Sequence, residues 1–371
     1  MFDMSFWNTI KGKTLKYIES MRAETIPYGQ YRYASTIKEP VLYASIYAAL
    51  TRHLYRDLAN VSNEQKNQWI KYIQSYQAED GLFQDPLVEN DIVAKEDWWG
   101  WRHLTCHAII ALTALGAVAQ KKFKFLEPFY DKGYMARWLE SRNWDERADF
   151  VGNEVLNLGT LLQYERDFHG DKRAGQSIKL MLDLLSEYQD PKSGLWGFKG
   201  KFDTPELLSR GVQGAYHFYL LYFYDRRPIQ YVERIIDNIL LTQNEKGGFG
   251  VSLQSNACED IDSIDPLVRL SFITQYRADD IRSAIIKALP WVLSNQNEDG
   301  GFVFKRGAFF KYGHDLMSSE PDQSAMFPTW WRTLSLAYIY KYIVDRTELG
   351  FNLDKEFFVF TKCPGYQFWS E

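Results

Sequence analysis

Residues 257–271 read ACEDIDSIDPLVRLS and crowd four acids, Glu259, Asp260, Asp262 and Asp265, into seven positions. Carboxylates this close repel one another, so the fold must neutralise them or use them. Acids in the first turn of a helix satisfy free N–H groups and interact favourably with the helix dipole, which accounts for one or two of the four. An ion-pair network reaching Arg269 or Arg210 would occupy others. The chemical use is proton donation: a carboxyl in a low-dielectric cleft beside other carboxylates has its pKa raised and keeps its proton at neutral pH.

Other groupings carry weaker chemistry. His103 and His107 stand four apart, a spacing that can put two imidazoles on one metal, but residue 104 is Leu where hydrolytic motifs have Glu. They read as pocket-lining, hydrogen-bonded histidines, and no metal is expected. Asp279-Asp280 reads as a solvated helix start with no second acidic motif downstream, so neither magnesium nor any other cofactor is expected.

The elements that would position these residues follow from a repeat. YQAEDGLF (76–83), YQDPKSGLW (188–196), TQNEKGGF (242–249) and NQNEDGGF (295–302) share a Gln, then a Gly, then an aromatic. Gln189, Gln243 and Gln296 are spaced by 54 and 53 residues, and the 112 residues from Gln77 to Gln189 leave room for a degenerate copy, LESRNWDERADF (139–150). Such a period means a stacked supersecondary unit. An amphipathic segment precedes the motif, as in YVERIIDNILLTQ with apolar residues at 235, 236, 239 and 240. A uniformly apolar segment follows it, and a helix hydrophobic on most sides is buried. With PVLYASIYAAL (40–50) in front, six buried helices each pair with an amphipathic one. The expectation is an all-α (α/α)6 barrel, a single domain over 1–371 with its repeat core at about 40–345; an open α-solenoid is the alternative. The turn Gln and Gly suit tight helix connections, the amide capping free backbone groups.

In such a barrel the N-terminal ends of the inner helices share one mouth. This collects Tyr43; Trp98, Trp99, Trp101 and His103; Asn153 and Asn157; Arg210, Gln213 and His217; the acidic run; and Trp330, Trp331 and Arg332. With His107 they form the candidate substrate-binding wall. Aromatics make up 16% of the chain, with 12 Trp, 24 Tyr and 24 Phe, more than a packed core requires. The net charge of -5 and the lack of any basic run exclude a nucleic-acid partner. Three scattered cysteines suit a reducing compartment. The first residues lack a signal-peptide core, and the most apolar segment is too short to span a bilayer. A cytoplasmic protein is expected, with peripheral membrane contact left open and no obligate protein partner.

The Gln-x3-Gly-x-Phe and Gln-x4-Gly-x-Trp repeats resemble those of squalene–hopene cyclases, class II terpene cyclases and protein prenyltransferase β-subunits, over roughly residues 40–345. Asp260-Ile261-Asp262-Ser263 is similar to the Asp-x-Asp-Asp motif of class II cyclases. The resemblance implies Asp262 as proton donor and Asp260 as its partner. Ser263 departs from the motif, and Glu259 or Asp265 stands near enough to substitute. His314, in YGHDLM, matches by position the His that orients the acid in squalene cyclases. Because the chain has room for one barrel, the nearest likeness is to single-barrel class II cyclases of bacterial meroterpenoid pathways, which close a polyprenyl chain attached to an aromatic acid. That implies a small-molecule isoprenoid substrate and a head group anchored by Arg332, Arg210 or Arg102. It also implies carbocations stabilised by aromatic faces at about 0.5–2 kcal/mol each.

Three rival readings remain. A prenyltransferase-like zinc site would need Asp two residues before Cys, whereas the order here is Cys258-x-Asp260, and FPTWWR offers no His. A carbohydrate-active α/α barrel would pair Asp260 or Asp262 with Asp97 or Glu96. A prenyl-lipid-binding barrel without catalysis would keep the pocket alone.

Overall fold

The structure, a computed structural model, describes residues 3–89, 99–346 and 353–369. Along the chain run α1 (Met4–Ser20), α2 (Leu42–Leu54), α3 (Asn63–Gln74), α4 (Trp101–Leu115), α5 (Lys132–Glu140) and α6 (Ala148–Phe168). They are followed by α7 (Lys172–Tyr188), α8 (Pro205–Tyr224), α9 (Val232–Leu241), α10 (Ala257–Ser271), α11 (Ala278–Ser294) and α12 (Met326–Asp345). A short antiparallel ribbon, β1 (Phe310–Lys311) with β2 (Ser318–Ser319), lies between α11 and α12.

Two compact units divide the chain. The first comprises Met1–Ser75, Asp85–Glu89 and Gln243–Phe360, and the second Tyr76–Gln84, Asn90–Thr242 and Thr361–Glu371. In the first, α12 packs between α2 and α10, while α3 covers α2 and α11 lies against α10 and α12. In the second, α6 packs between α4 and α8, α7 lies against α6, and α9 against α8.

Sequence pattern explains which helix takes which place. Every residue of α2 from Leu42 to Arg52 is buried, as is every residue of α12 from Met326 to Tyr340. The flanking helices bury one stripe: Ile235, Ile236 and Ile239 in α9, and Ala174, Ile178, Met181, Leu182 and Leu185 in α7. Each fully buried aliphatic side chain contributes about 1.5–3 kcal/mol. The six apolar segments read from the sequence are α2, α4, α6, α8, α10 and α12, and the degenerate copy at 139–150 joins α5 to α6. In the second unit α6 and α8 approach backbone to backbone, because a Cβ on Gly152 would lie 2.5 Å from the Gly214 carbonyl oxygen.

The repeat turns are built alike in both units. Each Gln amide donates to the carbonyl of its own turn glycine: Gln77 to Gly81 and Gln189 to Gly194 at 2.8 Å, Gln243 to Gly247 and Gln296 to Gly300 at 3.0 Å. The same amide reaches the next segment, at Lys121, Gln230 and Ala284 carbonyls and the Thr14 hydroxyl. At Gly300, with φ +93°, a Cβ would meet the Lys13 carbonyl at 2.1 Å, so only glycine fits. The aromatic residue then donates its N–H to the following buried helix: Phe83 to Thr105 Oγ1 at 2.8 Å, Phe302 to Thr329 Oγ1 at 2.9 Å, and Phe249 to Asp260 Oδ1 at 3.0 Å. Asp260 thus occupies a position where other repeats carry threonine.

Candidate active site

Helix α10 sorts its four acids into different tasks. Asn256 caps it by accepting from the Cys258 and Glu259 N–H groups, and Glu259 accepts the Asn256 N–H at 2.8 Å, a reciprocal capping box. Asp265 forms a buried ion pair with Arg269, whose guanidinium also donates to the Tyr338 hydroxyl at 2.8 Å. Asp260 accepts four hydrogen bonds: from Phe249 N and from Ser255 Oγ at 2.7 Å on one oxygen, from Trp291 Nε1 at 2.9 Å and Arg332 Nη1 at 2.8 Å on the other. It is a completely enclosed tether joining the 243–249 turn, α11 and α12.

Asp262 is left over. It is 2% exposed, and its Oδ1 has no hydrogen-bond partner. Burial pushes its carboxyl well above the usual carboxylate range, and the charges of Glu259, Asp265 and Asp260 push it further. Pro266, four residues on, has no N–H to give the Asp262 carbonyl, which loosens the helix at this point. Cys258, Asp262, Asp265 and Arg269 form one stripe, at i, i+4, i+7 and i+11.

The surroundings of Asp262 are aromatic. Tyr312 sits close enough to Asp262 and Cys258 for their charges, after burial, to raise its phenol. Its ring stacks on Phe327 at 4.3 Å, and Phe327 stacks on Trp331 at 5.6 Å. Trp331 touches Trp330 at 4.6 Å, and Trp330 stacks on Tyr47 at 5.2 Å. On the other side, Phe310 lies 5.9 Å from Tyr312 and stacks on Phe304 at 3.8 Å. An acid that holds its proton and an apolar wall of π faces are what protonation of an unactivated carbon–carbon double bond requires.

The second unit gathers histidines instead. The His103 and His107 rings lie 4.3 Å apart, and Tyr366 stacks on His107 at 5.0 Å and meets His217 edge-on at 6.1 Å. Tyr366 donates to Asn153 Oδ1 at 2.6 Å. The Nδ1 atoms of His107 and His217 each lie 2.8 Å from a backbone carbonyl one turn earlier. A carbonyl only accepts, so Nδ1 carries the proton and Nε2 is an acceptor. Burial pulls both imidazoles down to about 4 and His103 well below its usual value. Among the described residues no three His, Cys, Asp or Glu side chains are grouped to hold a metal ion. No helix among them is long and apolar enough to cross a membrane.

Several site residues take other places than the sequence suggests. The Arg332 guanidinium is fully buried, donates to Asp260 and to the Val303 and Phe304 carbonyls at 2.9 Å, and has its charge paired with Asp260 inside the protein rather than with a substrate head group. Arg210 is exposed in the second unit, where its charge acts on Asp149. Arg102 lies over the Phe125 and Phe129 rings. His314 caps the short turn Asp315–Met317 by accepting the Leu316 N–H at 3.1 Å on Nδ1, and the acid it lies near is Asp85 rather than Asp262. The loop between β1 and β2 carries it there and leaves Tyr312 facing the acid. Trp99 and Asn157 are fully buried and Trp101 half-buried in the second unit; Trp98, Glu96 and Asp97 lie outside the described residues. Sequence reasoning missed Tyr312, Phe327, Trp291 and Ser255. The aromatic density of 302–312 was the available signal for Tyr312 and the FPTWWR run (327–332) for Phe327, whereas Trp291 lies in the amphipathic segment before the last repeat turn.

No family model and no curated protein matches the sequence. Solved structures do match. A polysaccharide lyase is 11% identical, with 91% of this chain and 98% of that chain covered and a TM-score of 0.52. A glycosyl hydrolase family 88 protein from Bacteroides vulgatus is 10% identical, covering 90% and 99% at a TM-score of 0.51. The type II terpene cyclase MstE from Scytonema is 12% identical, covering 90% and 97% at 0.49, a score on which no argument rests. Likeness at these identities shows the fold alone, and the fold is all-α, of the α/α-barrel class.

Proposed function

We propose that this chain is a class II terpene cyclase of the single-barrel kind, in which Asp262 protonates a carbon–carbon double bond of a polyprenyl chain, borne by an aromatic acid. One observation carries the reading: a buried carboxyl with a raised pKa and an unpartnered oxygen stands beside a stacked aromatic wall. The Asp262 O–H bond breaks, a C–H bond forms, and the charge appears on carbon. Burial penalises an isolated carboxylate, yet here the carboxylate forms next to the cation it creates, and their attraction in a low dielectric offsets that penalty. Faces of Tyr312, Phe327, Trp330 and Trp331 stabilise the migrating charge without attacking it. A neighbouring C–H bond then breaks, its electron pair forms the new double bond, its proton passes to solvent water, and solvent reprotonates the Asp262 carboxylate, so the net reaction is an isomerisation. Asp260 and Arg332 position α10, while Glu259 and Asp265 hold Asp262 in its protonated form through their charge.

The test is incubation of the protein in heavy water with farnesyl and geranylgeranyl diphosphates and prenylated hydroxybenzoates, followed by mass spectrometry, beside Asp262→Asn. A cyclic isomer carrying one solvent deuterium, absent with Asp262→Asn, is the expected result. Unchanged substrates throughout would reject the reading. A glycan-cleaving alternative, prompted by the polysaccharide lyase and the family 88 hydrolase among the similar structures, needs a second available carboxylate. Asp260, with four donors on its two oxygens, is not one, which leaves Asp262 with Asp97 or Glu96, both outside the described residues.

A further inference from the structure

With Arg332 committed to Asp260, the substrate's head group needs another cation. The first unit holds a cleft of about 670 Å³ between the segment leading into α10 and the segment after Phe304, lined by Ser252, Leu253, Gln254, Lys305, Arg306 and Asp322. The cleft is an open groove of mixed polar and apolar lining, able to receive one end of a ligand rather than enclose the whole. The charges in it are unequal in availability. Arg306 donates to Asn297 Oδ1 at 2.6 Å, to the Ser294 carbonyl at 2.9 Å and to the Gln296 carbonyl at 3.2 Å, and lies 3.7 Å from Asp322. Asp322 in turn accepts the Gly307 N–H at 2.9 Å. Lys305 is half-buried, yet among the described residues its ammonium has no hydrogen bond or ion pair; the acid that feels its charge is Glu259. An ammonium that makes no hydrogen bond or ion pair of its own is available to pair with an incoming anion.

We infer that this cleft receives the anionic head group of the substrate, a carboxylate or a phosphate, with Lys305 as its counter-ion. The inference rests on the cyclase reading for the remainder of the ligand. Backbone geometry ties the cleft to the acid: the Phe304 carbonyl accepts from Ala257 N at 3.0 Å and from Arg332, pinning residue 304 to the first residue of α10. The Phe304 ring opens the stack that runs through Phe310 to Tyr312 beside Asp262. Asp262 is three residues beyond Glu259, about 5 Å further along the helix axis. A head group on Lys305 therefore leaves the prenyl chain to lie along these rings toward the proton donor.

The experiment measures binding in the Asp262→Asn background, where turnover does not intrude, with four probes: farnesylated 4-hydroxybenzoate, its methyl ester, farnesyl diphosphate and farnesol. A charged probe should bind roughly 10-fold or more tighter than its neutral twin. Lys305→Met should erase that margin and Lys305→Arg keep it; the charged probe with the larger margin identifies the head group. No charged-over-neutral margin, or one that survives Lys305→Met, overturns the inference. The deuterium assay on the parent protein separates the two proposals. Cyclisation with Lys305-independent binding rejects the head-group site alone, and Lys305-dependent binding without cyclisation rejects the cyclase alone.

Discussion

The two units bury titratable groups of opposite sign and bring both to neutrality. In the first, burial and neighbouring acids push Asp262 up; in the second, burial pulls His107 and His217 down to about 4. Desolvation penalises whichever form is charged, so a buried acid keeps its proton and a buried imidazole loses one. The same physical cause makes a donor in one place and an acceptor in the other. What differs is the company: Asp262 stands among other carboxylates, the histidines among rings and backbone carbonyls.

The largest effect should come from the donor. Asp262→Asn is expected to lower cyclisation by about 10²–10⁴-fold, the range for loss of a general acid. The same variant should be more stable than the parent. Because the folded pKa of Asp262 lies above its unfolded value of about 3.9, its contribution to stability is full below that pH and is lost as pH rises toward the folded pKa. Thermal melts should show the variant's advantage growing from pH 4 upward, and an advantage independent of pH would break the comparison.

Next in size is the tether. Arg332→Met leaves the Asp260 carboxylate buried without its cation and should cost about 3–5 kcal/mol in denaturant unfolding. Replacing Asp260 by Thr in the same protein, the residue type that serves the equivalent turns, should restore most of it. No recovery would mean that Asp260 is more than a repeat anchor.

The histidines predict the opposite pH dependence. Their folded pKa values lie below the unfolded value of about 6.5, so the stability they contribute is present above that pH and lost as pH falls toward 4, by about 3 kcal/mol per imidazole. His217→Asn should flatten the fall in stability between pH 6.5 and 4, and an unaltered slope would show that His217 does not titrate as described. The smallest effect compares the units directly. Gln189→Ala and Gln243→Ala each remove two hydrogen bonds of the same kind, at about 1 kcal/mol apiece, and should cost the two units similar amounts.

Much of the fold was legible because its causes are local. Helical periodicity separates α9, with one buried stripe, from α12, buried all round, and the Gln-Gly-aromatic turn closes on itself within eight residues. The acidic run and its place at a helix start were legible for the same reason. The division of labour among its members was not. Glu259 caps through a partner three residues away, but Asp260 is held by Trp291 and Arg332, 31 and 72 residues distant.

His314 and Tyr312 make the point on a smaller scale. Two positions apart in one loop, they differ in which acid they meet, Asp85 for one and Asp262 for the other. Arg332 carries the charge a substrate carboxylate would want, and the fold spends it on an internal one. Sequence by itself determined which segments become helices, which of those are buried, and that an acidic cluster opens α10, because periodicity, capping and turn chemistry act over a few residues. Only the tertiary structure decided which acid stands without a partner, because burial and hydrogen bonding depend on groups that distant parts of the chain bring to the same place.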